Sequence, residues 1–255
     1  MMTLDEAWLK ERAGELQASL TFLTRLRFAP VTPAGGAIAQ AAWAFPIAGA
    51  VVALIGALVY WFAHRAGLPP FPCAALSVAV TMLVTGCLHE DGLADTVDGF
   101  GGGGTREQKL DIMRDSRIGA YGVCALALAV ILRVSALASL ATPGLVVPAL
   151  FAAHGAARAM VAVFMFFIPP ARSNGLSAAA GQPPRESAGA AVAIGIVILG
   201  LCLGPWLGLG ALLVLAVAAA LLAWLSLTQV DGQTGDVLGA VEQVGEIVVF
   251  LVALI

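Results

Sequence analysis

Apolar runs close to twenty residues long recur through this chain, at 41–64, 71–89, 120–141, 145–168, 188–206, 209–229 and 237–255. A helix needs ~20 such residues to cross a bilayer's hydrocarbon core, and lipid offers nothing to an unpaired backbone N–H or C=O. The expectation is therefore an all-α, polytopic membrane bundle, a single domain over 1–255 with about seven transmembrane helices. A mean hydropathy of +0.94 with 60% hydrophobic residues excludes an ordinary soluble domain. Two boundaries are weak: Glu242 and Glu246 interrupt the last run, and only GPWLG separates the fifth from the sixth.

Ahead of the runs, residues 1–30 read as an amphipathic arm. Leu4, Trp8, Leu16, Leu20 and Leu23 alternate with Lys10, Glu11, Arg12, Glu15, Arg25 and Arg27, too charged to span and suited to the interface. Its FLTRLRF stretch (22–28) reads either as an anchor with snorkelling arginines or as a substrate-contacting arm that uses Arg25. The start, MMTLDEAWLKER, lacks the basic-then-apolar order of a cleaved signal. Cys73, Cys87, Cys124 and Cys202 stand singly without a CxxC pair and read as packing residues. No basic stripe suggests nucleic acid.

With seven crossings, one side of the membrane receives the arm and the segments near 90–119, 169–187 and 230–236. Ten of the thirteen basic residues fall there: Lys10, Arg12, Arg25, Arg27, Arg106, Lys109, Arg114, Arg117, Arg172 and Arg185. Arg65 alone falls opposite, and Arg133 and Arg158 lie within runs. By the positive-inside rule the richer side is cytoplasmic.

Within that side lies HEDGLADTVDGFGGGG, 89–104, part of an expected acidic motif loop at 89–121. If this stretch is helical, Asp91, Asp95 and Asp98 follow an i, i+4, i+7 pattern on one face, while Glu90 points about 100° away from Asp91. Crowded carboxylates repel, and a hard cation, Mg²⁺ or Mn²⁺, turns the repulsion into coordination; Glu90 completes the candidate ligands. His89 adjoins them. Gly101 and Gly102 open a run of four glycines that reads as a phosphate cradle or a plain hinge, without a P-loop signature. Farther on, Asp115 and Arg117 in IMRDSRIGAYG set a carboxylate beside a guanidinium, the pairing phosphoryl transfer uses. Arg133 and Arg158, costly within a bilayer, should face the bundle interior, with Arg158 the better contact for an anionic ligand. In the last run Thr234 or Asp236 can cap a helix. Glu242 and Glu246, four apart, should meet Arg133, Arg158 or a bound cation.

These stretches resemble the cobalamin synthase family, adenosylcobinamide-GDP ribazoletransferase. The resemblance rests on TFLTRLRF (21–28), AFPIAGAVVALIGALVYW (44–61), HEDGLADTVDGFGGG (89–103), IMRDSRIGAYG (112–122), ARSNGL (171–176) and TGDVLGAVEQVGEI (234–247). Asp231 stands where a glycine is expected, and 177–187 has little family character. The resemblance implies a Mg²⁺-dependent enzyme of the bacterial inner membrane with cytoplasmic active-site loops. Such an enzyme joins adenosylcobinamide-GDP to α-ribazole or its 5′-phosphate and releases GMP. Asp91, Asp95 and Asp98, with Asp115, would serve the metal and the chemistry. Arg117, Arg158, Arg25, Asp236, Glu242, Glu246, Gly101 and Gly102 would contact substrate, and a carboxylate or His89 would take the proton. A homo-oligomer is compatible with this reading.

Two rivals remain at this level. A CDP-alcohol phosphotransferase also uses interfacial aspartates, but its motif needs an arginine that DGLAD lacks. A transporter would use Arg133, Arg158, Glu242 and Glu246 as an ion path, yet most charges lie outside the runs and no internal repeat is present.

Overall fold

The computed structural model describes residues 4–26 and 37–255. Helix α1 (Leu4–Leu23) is followed by α2 (Ala37–Gln40), which runs through a 3-10 turn at Ala41–Ala44 into α3 (Phe45–Arg65). Then come α4 (Pro70–Thr85), α5 (Leu88–Gly102), α6 (Arg106–Ile112), α7 (Ala120–Leu140) and α8 (Pro143–Phe167). The short α9 (Leu176–Ala180) precedes α10 (Arg185–Val230) and α11 (Gly235–Val252). Among the described residues the regular elements are all helical, as the sequence predicts. Arg27 and Phe28 of the FLTRLRF stretch lie outside the described residues.

Helix α8 is the centre, packed on α3, α10 and α11. Its Ala152, Ala153, Gly155, Ala156 and Ala157 are all buried, so neighbouring backbones approach closely. That is how helices associate where burying a large apolar side chain gains little over lipid. In α8's most apolar window 78% is buried, against 17% for α10, whose Leu201, Trp206, Leu213 and Val217 face outward. Helix α10 therefore forms lipid-facing surface. It is one assigned element but two helices in fact: Gly204 (φ 76°, ψ 171°) breaks it before Pro205, which has no N–H to give. Gly208 then lies against the backbone of Leu199, so the arms fold back on each other. They correspond to the runs expected at 188–206 and 209–229.

Two other expectations change. The run at 71–89 is not one helix, because α4 stops at Thr85 and the chain turns by 88° into α5. Gly86 (φ 68°) and Cys87 (φ 58°) are both left-handed, and two such residues in succession cannot continue an α-helix. The segment 89–121, expected as a loop, is helical through α5 and α6. Counted by length and apolarity, four helices of the described residues can cross a membrane, or five if the bent α4–α5 pair is one span. The expected seven fall short on this measure for physical reasons: α4 is only 16 residues long, α10 counts once, and α11 carries three acids.

Candidate active site

The bend after α4 lays α5 across α11, and two glycines set how close they come. A Cβ on Gly92 would meet the Asp236 carbonyl oxygen at 2.7 Å, and one on Gly239 would meet the Gly92 Cα at 3.0 Å. This contact puts Asp91 and Asp95, one turn apart on α5, beside Asp236 in the first turn of α11. Asp91 is exposed and Asp95 half-buried. The charges bearing most on Asp95 are all negative, those of Asp91, Asp236 and Asp98. The cation near Asp236 is Arg172, whose Nη2 lies 3.7 Å from Oδ2; Thr234 donates to that oxygen at 3.1 Å and caps the helix through Val237 N–H.

Two cavities open on either side of Asp91. The more polar of the two, of about 450 Å³, has Glu90, Asp91, Asp95, Arg114, Asp115 and Ser116 among its lining residues, beside Met82, Met113 and Leu126. A smaller, mainly apolar one of about 120 Å³ has Asp91, Asp236 and His89 among its lining residues. Asp91 thus borders both.

The other predicted residues separate into distinct roles. Asp98 is buried, and its carboxylate accepts the N–H groups of Gly119 at 2.7 Å and Gly122 at 2.9 Å. Both oxygens are engaged at the start of α7, so Asp98 has a helix-capping role that its place in the expected row of metal ligands did not announce. Glu90 turns inward to Arg133 Nη1 at 2.9 Å, so among its contacts the charge partner is a guanidinium. Gly101 and Gly102 are the last residues of α5, where a helix presents carbonyls, so they do not form the phosphate cradle considered from sequence. Asp115 receives Arg117 Nη2 at 2.5 Å and Nε at 3.0 Å, and this hydrogen bonding lowers its pKa from 3.8 to about 2. The Arg117 side chain is 87% exposed, with Asp115 as its charge partner. Arg25 is exposed, lies over Gly86, and donates its backbone N–H to Val84 O at 2.7 Å, which ties the arm to the α4–α5 bend.

Glu242 and Glu246 meet Arg133 and Arg158 in the interior. Arg158 Nη1 lies 2.7 Å from Glu242 Oε1 and 3.2 Å from Glu246 Oε1; Arg133 Nη1 lies 3.4 Å from Glu246 Oε2. The Arg158–Glu242 approach is a charge contact without hydrogen-bond alignment, since Glu242 Oε1 has no hydrogen-bond partner. His154 Nδ1 contacts Glu246, and His89 Nδ1 lies 3.6 Å from Glu242 Oε2. Gln243 donates to Glu242 at 3.0 Å. Arg158, expected as a contact for an anionic ligand, is 1% exposed and spent on these acids. His154, Glu242 and Glu246 bring ligand atoms within 4.8 Å of one another, but Arg158 already supplies their positive charge. Among the described residues, the cation paired with the acid face of Asp91, Asp95 and Asp236 is Arg172, against Asp236.

Sequence reading missed Arg172 as the partner of Asp236 and Gln243 as part of the interior network. A glutamine between two glutamates in an otherwise apolar helix was the available signal for the second; for the first there was none, because 64 positions separate the pair.

A family model described as cobalamin-5-phosphate synthase matches residues 15–254. An adenosylcobinamide-GDP ribazoletransferase of Bradyrhizobium diazoefficiens is 57% identical over 241 residues, 94% of this chain and 93% of that protein. Proteins of the same name from Mesorhizobium japonicum and Ralstonia nicotianae are 50% and 38% identical, covering 92% and 97% of this chain and 90% and 97% of their own lengths. No solved structure matches.

Proposed function

Because the chain belongs to the cobalamin-5-phosphate synthase family, we propose that it is an adenosylcobinamide-GDP ribazoletransferase of cobalamin biosynthesis. It joins adenosylcobinamide-GDP to α-ribazole or its 5′-phosphate and releases GMP, in the bacterial inner membrane with the site toward the cytoplasm. The observation that supports this most is the meeting of Asp91, Asp95 and Asp236 where α5 crosses α11, at the edge of a polar cavity.

The donor set there fits Mg²⁺: hard carboxylate oxygens from two helices, with like charges around Asp95. Asp91 and Asp95 are the residues that would hold the ion, with Asp236 across from them. When bound, the ion supplies charge neutralisation on the diphosphate and makes its phosphorus more electrophilic. Glu90 and Asp98, occupied by Arg133 and by α7, stand behind this pair rather than in it.

The remaining steps belong to the chain. Arg114 and Ser116 line the polar cavity and bind phosphate oxygens there, and Arg117 swings from Asp115 to add a second guanidinium. The ribose hydroxyl of the acceptor attacks the phosphorus on the cobinamide side of the diphosphate. A new O–P bond forms, the P–O bond to GMP breaks, and the electron pair leaves with GMP. His89, which borders the smaller cavity beside Asp91 and has its Nδ1 3.6 Å from Glu242 Oε2, takes the hydroxyl proton.

The test uses purified protein in liposomes with adenosylcobinamide-GDP, α-ribazole and Mg²⁺, followed by GMP release and a cobalamin product. Product that appears with Mg²⁺ or Mn²⁺ and disappears on chelation supports the reading. No product with any divalent ion overturns it.

A further inference from the structure

The apolar cavity beside Asp91 has no role in gripping a diphosphate, and its construction is specific. Phe22 of α1 and Phe45 of α3 stack with ring centroids 6.5 Å apart and planes 19° apart; Leu88, Val161 and Met165 continue the wall. Its polar side chains are those of Asp91, Asp236, His89 and Ser177, the first two belonging to the acid face.

We propose that this cavity seats the flat aromatic base of the nucleoside acceptor and selects it against purines. The inference rests on the ribazoletransferase reading. Size is the first argument. At about 120 Å³ the space is well below the ~300–1,000 Å³ of pockets that enclose drug-sized ligands, so it holds one fused ring system and neither a nucleotide nor a corrinoid. Hydrogen bonding is the second. The carboxylates of Asp91 and Asp236 accept hydrogen bonds from ribose hydroxyls and a bare aromatic edge offers them none, so the acceptor enters base first with its sugar at the acids. Placement is the third. Asp91 borders both cavities, so a base held in the apolar one leaves its ribose at the edge of the polar one, where the donor's diphosphate lies. Selectivity follows from the wall: a purine's ring nitrogens and exocyclic groups would be stripped of water against Phe, Leu, Val and Met, whereas an alkyl-substituted benzene edge loses nothing.

The experiment measures steady-state kinetics for each substrate separately in Ala180→Leu, which adds bulk to the wall, and Phe22→Ala, which removes it. For Ala180→Leu the expected result is a KM for α-ribazole raised about ten-fold, with the KM for adenosylcobinamide-GDP unchanged. For Phe22→Ala the expected result is a shift in kcat/KM toward a riboside of a larger base, such as naphthimidazole, relative to α-ribazole. Equal KM changes for both substrates, or an unchanged base preference in Phe22→Ala, overturn the proposal while leaving the parent activity standing. If wild-type protein makes no product, the parent reading fails instead, and equilibrium dialysis of labelled α-ribazole decides the cavity. Binding to wild type that Ala180→Leu weakens ten-fold supports it, and no binding overturns it.

Discussion

A single carboxylate shows how far side-chain identity runs ahead of role. Asp91, Asp95 and Asp98 share helical spacing, yet Asp98 gives both oxygens to backbone N–H groups of Gly119 and Gly122. Its partner is the start of another helix more than twenty residues on, and the periodicity of α5 carries no trace of that. Asp98→Asn replaces one acceptor with an amide that faces a donor. The expected outcome is a stability loss of about 1–2 kcal/mol with turnover per folded molecule within a few-fold of wild type. Asp91→Asn and Asp95→Asn should do the reverse, keeping the unfolding midpoint and lowering kcat by about 10²–10³. Thermal unfolding in detergent alongside GMP release separates the two patterns. Near-normal midpoint with lost turnover in Asp98→Asn would return that residue to the metal. The interior pairs were more legible: an acid pair and two arginines in apolar runs have few places to go but toward each other, and Arg158 meets Glu242 and Glu246.

At the scale of elements, the site depends on how α5 sits on α11, and the contact is made by the absence of side chains. Gly92→Ala would drive a Cβ to 2.7 Å from the Asp236 carbonyl, with rigid backbone on the other side. The helices must part, at a cost of about 1–3 kcal/mol, and Asp236 moves away from Asp91. The expected outcome is a lowered midpoint together with loss of most turnover. Gly210→Ala is the control: in an α10 arm with nothing within 4 Å of its new Cβ, it should leave activity unchanged and stability equal or up to about 1 kcal/mol higher. Equal effects from both substitutions would show that the crossing does not set the site. Helix content and the two arms of α10 were readable because length, apolarity and a Gly–Pro break are local signals. The right-angle turn after α4 was not. It depends on Cys87 taking a left-handed backbone that nothing in its residue type announces, and on Arg25 bonding back to Val84.

For the whole molecule, the question is which end faces which compartment, and hydrogen bonds tie the answer together. Arg106 donates to the carbonyls of Val230 and Ala171, Arg114 Nη2 donates to Asn174 at 3.1 Å, and Gln233 N–H donates to Pro169 O at 2.8 Å. The connections after α5, after α8 and after α10 are therefore one joined surface, and the first two carry Arg106, Lys109, Arg114, Arg117 and Arg172. Joined segments cannot lie on opposite sides of a bilayer, so a single orientation governs them all, and the proposal that it is cytoplasmic rests on the arginine and lysine bias. The turn between α3 and α4, with Gly67 and Leu68 exposed, lies across the bundle. Single cysteines at Ser116 and Leu68, in a background without the four native cysteines, test this with a membrane-impermeant maleimide on spheroplasts. Leu68→Cys should label at once and Ser116→Cys only after permeabilisation. Both substrates of the proposed reaction are charged or large polar molecules. If Ser116→Cys labelled from outside, the acid face would open away from the cytoplasm and the proposed localisation would fall, while the contacts that build the site would stand.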